Sequence, residues 1–223
     1  MRLRLNIDTI NVGIVEFFKG QDQMPSIQQL LQGFEAFREL YFKKDTALFK
    51  RLATQGQKPS TLLISCSDSR VDPATLFGTE PGELFVVRNV ANLVPPYESD
   101  ERSYGTSSAI EFAVRDLGVS QIVVLGHSNC GGIHALCNHL SGEVSEREFI
   151  VRWVSIATDA VAPHVDQPRQ HAEQAAIRAS MENLKTFPWI RERVASGDLT
   201  LHGWWFDLAA GTLSVISEER VDP

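Results

Sequence analysis

The chain has 223 residues, 43% of them apolar, which is near the upper end of what one domain holds and enough to bury a full core. A formal net charge of -7, a pI near 5.4 and the lack of any Lys/Arg-rich block exclude nucleic acid as a partner and leave small molecules and other subunits. No stretch approaches the ~18 consecutive apolar residues of a membrane span, and the three cysteines, Cys66, Cys130 and Cys137, are too sparse and odd in number for a disulfide framework, so the composition reads as a reduced, cytoplasmic protein with no membrane partner.

The opening residues, "MRLRLNIDTINVGIVEFFKG", are broken by Asn6, Asp8 and Asn11 where an export signal needs an apolar centre. Residues 1–25 read as an N-terminal extension of unknown role, or as sequence ahead of a start at Met24, and 26–223 as a single domain. From Ser26, a plausible N-cap, the residues Ile27, Leu30, Leu31, Phe34, Phe37 and Leu40 recur at three- and four-residue intervals and predict an amphipathic helix. A second helix is expected from near Asp45 to a stop at Gly56.

Beyond it the pattern changes to short apolar runs, "TLLIS", "ELFVV" and "QIVVL", which suit strands of a parallel sheet buried on both faces. "GTSSAIEFAVRDLG" supplies a helix before the third run, and another is expected from about Ile133. A long helical stretch from about Pro168 to Val194 is broken or kinked at Pro188. The terminal "LTLHGWWFDLAAGTLSVI" predicts two strands with a turn around Ala210 and Gly211, an edge hairpin. The alternation gives an α/β domain, and in such sheets ligands gather outside the carboxyl ends of the strands. Cys66 follows the first run and His127 the third, so two strand tips can share one crevice.

"LLISCSDSRVDP" ends a smooth apolar run with a cysteine and crowds Asp68 and Arg70 beside it, which is compatible with a structural turn, a nucleophile's loop or half of a metal site. "GHSNCGG" weighs in favour of the metal site. His127 and Cys130, three apart across a strand-to-helix turn, can converge on one ion, and Cys66 adds a third soft ligand. A Cys2His set suits tetrahedral Zn2+ with one vertex open, the mark of a catalytic zinc, although H-x-x-C by itself is more often packing. Gly131 lets the backbone approach closely at a helix start, where N–H groups favour an anion.

Together "CSDSR" and "HSNCGG" resemble the signature of β-class carbonic anhydrases, and the similarity continues through "EPGELFVVRNVANLVPPY" and "GTSSAIEFAV", from about Ser26 to about Ile216. The resemblance implies zinc held by Cys66, His127 and Cys130, and a central, mostly parallel sheet flanked by helices. It implies an obligate homodimer whose N-terminal helices pack on the partner, assembled further into tetramers or octamers. The implied activity is reversible hydration of CO2 to bicarbonate and a proton by zinc-bound hydroxide. Asp68 and Arg70 would be its dyad, with Arg70 holding the Asp68 carboxylate so that it accepts a hydrogen bond from the hydroxide. Released by Arg70, Asp68 would swing onto the zinc as a fourth ligand in a closed state.

Three departures narrow the subgroup. Leu63 stands where members with a regulatory bicarbonate pocket have tryptophan, Ser65 where they have glycine, and Phe206 where a tyrosine hydroxyl is wanted, so the chain resembles the plant-type subgroup, here as a bacterial form. That pattern makes Gln57, nine residues before Cys66, and Phe85 substrate-binding residues, Gln57 reaching across the dimer interface and Phe85 excluding water. Phe112 replaces the tyrosine of the plant-type site. Alternatives in view are a CS2 or carbonyl sulfide hydrolase on the same scaffold and a non-catalytic structural zinc protein. A cysteine phosphatase is excluded, since Arg70 follows Cys66 by four residues where a phosphate loop needs six. Cys137 reads as a buried thiol, Trp204 and Trp205 as packing or interface residues, and His134, His139, His164, His171 and His202 form no ligand spacing.

Overall fold

The computed structural model describes residues 25–44, 46–99 and 104–216, which fall into two compact units divided between Gly56 and Gln57. The expected extension, apart from its last residue, and Asp45 at the expected start of the second helix lie outside the described residues.

In the first unit, α1 (Ile27–Glu39) begins with a capping box. The Ser26 hydroxyl accepts from the Gln29 N–H and the Gln29 side chain accepts from the Ser26 N–H. The helix widens into a π turn, Leu40–Lys44, and α2 (Ala47–Gln55) ends at Gly56, whose φ of 73° lies in the region that favours glycine. Phe37, Tyr41, Phe42 and Phe49 pack their rings together. One stripe of α1 stays bare: Ile27, Leu31 and Phe34 are 70%, 61% and 53% exposed.

The second unit is built on β1 (Thr61–Cys66). A one-turn helix, α3 (Pro73–Phe77), follows, capped by Asp72 through the Thr75 N–H. Next come β2 (Leu84–Asn89) and α4 (Gly105–Glu111), which passes into a π turn at Phe112–Asp116. β3 (Gln121–His127) leads into α5 (Gly131–Leu140), two residues earlier than its apolar spacing suggests because Cys130 serves as N-cap. Between α5 and residue 168 lie α6 (Ile150–Val154) and α7 (Thr158–Val161), each followed by a 3-10 turn; neither was legible, since four or five residues show no period.

The long helical stretch is two helices, α8 (Arg169–Thr186) and α9 (Pro188–Ala195). Phe187, forced extended by the following proline, separates them. β4 (Thr200–Asp207) and β5 (Thr212–Ile216) form the terminal hairpin.

The strand order is β2-β1-β3-β4-β5, parallel except for antiparallel β5 at the edge. Period-2 alternation splits the core. Leu62, Ile64, Ile122 and Val124 face Ile177, Leu184 and Ile190 of α8 and α9, while Leu63, Val123 and Leu125 join a second cluster on the other side. α8 lies close over β3 and β4 because the strands are notched by glycine: a Cβ on Gly126 would stand 2.7 Å from Ile177 Cδ1, and one on Gly203 2.5 Å from Met181 Sδ. From β1 the chain moves to β2 on one side and later to β3 on the other, so the order reverses between β1 and β3. A crevice opens at such a reversal, above the carboxyl ends of the strands.

Candidate metal centre

Cys66 ends β1 and His127 ends β3, and the two tips flank that crevice. Cys130 arrives from the turn after β3, where Asn129 takes a left-handed φ of 56° and throws the next residue back toward the sheet. The ligand atoms of Cys66, His127 and Cys130 lie within 4.8 Å of one another, all buried, with the two sulfurs 3.9 Å apart. The His127 ring is oriented by its backbone: Nδ1 donates to the Ser128 carbonyl at 2.9 Å, which leaves Nε2 with its lone pair turned to the sulfurs. That Nε2 is buried and has no hydrogen-bond partner among the described residues. A buried acceptor orphaned between two thiols is costly in a bare protein and fitting in a metal centre.

The electrostatics agree. The Cys66 thiol is pulled down to about 4 by the hydrogen bond from Cys130, against burial, with His127 and the Asp68 and Ala91 amides assisting. The same contact, with burial, pushes Cys130 well above the usual thiol range. Burial works against a proton on His127, but Cys66, the Ser128 carbonyl and Asp68 together raise the ring above its ordinary value. A cation would take the place of the protons for which these three donors compete.

Asp68 sits beside this cluster, its Oδ2 3.9 Å from His127 Nε2. Arg70 grips both carboxylate oxygens, Nε to Oδ1 at 2.9 Å and Nη2 to Oδ2 at 2.7 Å, and adds its backbone N–H to Oδ1 at 3.0 Å. Those bonds hold the Asp68 carboxyl well below the usual carboxylate range and raise Arg70 in return. In this arrangement Asp68 belongs to Arg70.

The other expected site residues are placed differently. Gln57 is exposed ahead of β1, and Phe85 pairs in register with Leu62, four residues before Cys66, or ~13 Å back along the strand at ~3.3 Å per residue. Phe85 packs on Phe112, ring centroids 5.9 Å apart. Phe85 thus stands back from the metal cluster along its strand. Around Gly131 a Cβ would meet nothing within 4 Å; the close approach falls on its neighbour Gly132, where a Cβ would be 2.7 Å from Val90 Cγ1 and 2.9 Å from Ala91 Cβ. Ala91, itself at a left-handed φ of 64°, aims its N–H at Cys66 Sγ at 3.4 Å. Leu63 and Phe206 share an apolar cluster with Val123 and Leu125.

Two supporting residues carried no signal of their own in the sequence. Arg88 staples the loop after β1, donating to the Cys66 carbonyl at 3.0 Å, the Asp68 carbonyl at 2.7 Å and Asp72 Oδ2 at 3.3 Å. Glu173 of α8, 3% exposed, accepts from the Cys130 N–H at 3.2 Å and from Trp205 Nε1 at 3.0 Å. Glu173 reads as one more polar position in a helix, and Arg88 lies in a stretch that resemblance covers without giving it a role.

Sheet and cluster together define an α/β protein with a thiolate–imidazole centre, fit for a metal, at the switch point of its strands. The family model described as carbonic anhydrase matches residues 61–213, and the chain belongs to the β-class carbonic anhydrases. It is 43% identical over 195 residues, 84% of its length, to β carbonic anhydrase 5, chloroplastic, of Arabidopsis thaliana. The chain spans less than two-thirds of the length of the plant relatives it matches, 64% and 65%. Among solved structures it is similar to the β-carbonic anhydrase CcaA, with a TM-score of 0.78 and 34% identity over 86% of this chain and 95% of that one. A tetrameric β-carbonic anhydrase of Sordaria macrospora gives a TM-score of 0.74 at 29% identity, covering 86% of this chain and 96% of that one.

Proposed function

We propose that the chain is a zinc-dependent carbonic anhydrase that converts CO2 and water reversibly into bicarbonate and a proton. The observation that carries this reading is the convergence of Cys66, Cys130 and the orphaned Nε2 of His127 on one point, in a chain of this family. The spacing supports zinc in particular: two sulfurs sharing a tetrahedral ion at ~2.3 Å stand ~3.8 Å apart, and here they are separated by 3.9 Å. Zinc, when bound, supplies a water acidified enough to be a nucleophile near neutral pH.

The chain's own residues supply the rest. Asp68, kept ionised and clamped by Arg70, accepts a hydrogen bond from the attacking oxygen and aims its remaining lone pair at the carbon of CO2. Gln57, exposed ahead of β1, serves the site of a second protomer as a donor to a CO2 or bicarbonate oxygen, and Phe85 excludes water. The bare apolar stripe of α1 supports such a homodimer, and the tetrameric Sordaria relative supports assembly beyond it. The apolar surroundings of Leu63 and Phe206 support the plant-type subgroup without a bicarbonate pocket. Three buried free cysteines support a cytoplasmic setting.

Stopped-flow CO2 hydration by the purified protein, paired with metal analysis, tests the proposal. Zinc in equimolar amount, activity lost on chelation and regained with added zinc are expected. Zinc retained without hydration at any pH would leave a structural ion, and activity surviving exhaustive chelation would remove the metal from the reaction.

A further inference from the structure

Arg70 and Glu173 reach the same peptide group from opposite sides. Arg70 Nη2, besides gripping Asp68, donates to the carbonyl of Asn129 at 3.2 Å, while Glu173 Oε1 accepts from the N–H of Cys130 at 3.2 Å. The Asn129 carbonyl and the Cys130 N–H belong to one peptide plane. A guanidinium holds its oxygen and a carboxylate its nitrogen, each by a charge-assisted bond aligned with the peptide dipole. The other Glu173 oxygen is fixed by the indole N–H of Trp205, a core residue of β4 only 5% exposed.

We infer that Glu173 is a positioning residue for the centre, holding the Asn129–Cys130 peptide at the angle that points the Cys130 sulfur at the metal and presents the Asn129 carbonyl to Arg70. The inference rests on the proposed metal centre. The peptide needs such a clamp: Asn129 is in a left-handed conformation, Cys130 has no side-chain cap bond to α5, and Gly131 has open space around it. Local sequence therefore does little to fix this plane. Through it the metal ligand and the Asp68–Arg70 dyad are coupled, although Glu173 touches neither the sulfur nor Asp68. Both Glu173 oxygens face N–H donors, so a carboxylate, acceptor at both ends, fits and an amide does not.

The test is zinc retention, read as the rate of transfer to a chelator, together with the absorption spectrum of the cobalt-substituted protein, in wild type, Glu173→Gln, Trp205→Phe and the double variant. Glutamine turns an N–H2 against one of the two donors, so Glu173→Gln should weaken metal retention ~10–100-fold, the usual effect of removing such an outer partner, and shift the cobalt bands. Trp205→Phe takes the larger volume from the core but leaves Glu173 on Cys130; it should lower thermal stability while changing retention less. In the double variant the conflict is relieved, the glutamine oxygen can return to the Cys130 N–H, and retention should recover toward wild type. If Glu173→Gln does not fold, the Trp205→Phe and double variants carry the comparison, since retention in the double variant far below that of Trp205→Phe contradicts the clamp. A Glu173→Gln protein that melts lower yet keeps wild-type zinc transfer and cobalt bands, or a Trp205→Phe protein that loses metal faster than Glu173→Gln, overturns the inference and leaves Glu173 a packing residue. Wild type that binds no zinc overturns the functional proposal itself, so the two failures are told apart.

Discussion

Replacing Asp68 by asparagine keeps its size and removes its charge. The carboxylate accepts three N–H groups of Arg70, at 3.0, 2.9 and 2.7 Å. An asparagine must put its N–H2 in the place of one oxygen. At Oδ2 it meets Arg70 Nη2 donor to donor; at Oδ1 it meets both the backbone N–H and Nε. Either way the grip opens and the acceptor 3.9 Å from His127 Nε2 is lost or turned. Removing one preorganised partner of a reacting oxygen costs ~10²–10³ in kcat, or ~2.7–4 kcal/mol, and that is the loss expected in CO2 hydration. Zinc should remain, because Cys66, His127 and Cys130 are untouched. The assay is stopped-flow hydration across pH with zinc measured on the same samples; undiminished turnover in a zinc-loaded Asp68→Asn protein would falsify the dyad's role. Stability gives an independent check on sign. The Asp68 carboxyl is depressed in the fold, so its contribution is fully present above the ordinary carboxylate value near ~4 and fades as pH falls below it. The stability gap between wild type and Asp68→Asn should therefore be constant from neutral pH down to that point and narrow only beneath it.

Two thiolates cancel the double charge of a zinc ion where three imidazoles would leave it whole, so its water is acidified less and hydration should climb into the alkaline range; a flat profile from about pH 6.5 to about pH 9 argues against this ligand set. Gly132→Ala puts a methyl 2.9 Å from Ala91 Cβ, which cannot yield without moving the N–H that Ala91 gives to Cys66 Sγ. Such overpacking should cost ~1–3 kcal/mol by denaturant unfolding. Gly131→Ala, with open space around it, should unfold near wild type, and equal losses at the two positions would refute the assignment. Leu31→Asp with Phe34→Asp, on the bare stripe of α1, should shift the protein to monomer by light scattering and reduce hydration with it, because Gln57 is proposed to act across the interface; a stable dimer in that variant places the interface elsewhere.

The convergence of Cys66, His127 and Cys130 was legible because it is local to two strand tips. "TLLIS" and "QIVVL" are buried runs whose ends had to lie on one edge of a parallel sheet, and the residues just past them could be read without knowing how the rest packs. The Asp68–Arg70 pair was legible for the same reason, two residues apart in one loop. What escaped was set by packing across the sheet. Of two adjacent glycines, the one needed is decided by which faces Val90 and Ala91, and no periodicity tells 131 from 132. Arg88 reaches the loop 22 residues before it only because β1 and β2 run in parallel register.

Glu173 marks the same boundary from the other side. It lies 43 residues from Cys130 and meets it only because glycines at 126 and 203 let α8 settle onto β3 and β4. On an exposed helix face a carboxylate at that position would be solvated and inert. Buried over two N–H groups, it holds the turn at a definite angle. The three donors make a site that could hold a metal, but the angle at which Cys130 offers its sulfur depends on how closely a helix and a sheet pack. A change at Gly126 or Gly203 that lifts α8 should accordingly loosen the centre without touching any ligand, through the same peptide that Arg70 holds from the opposite side.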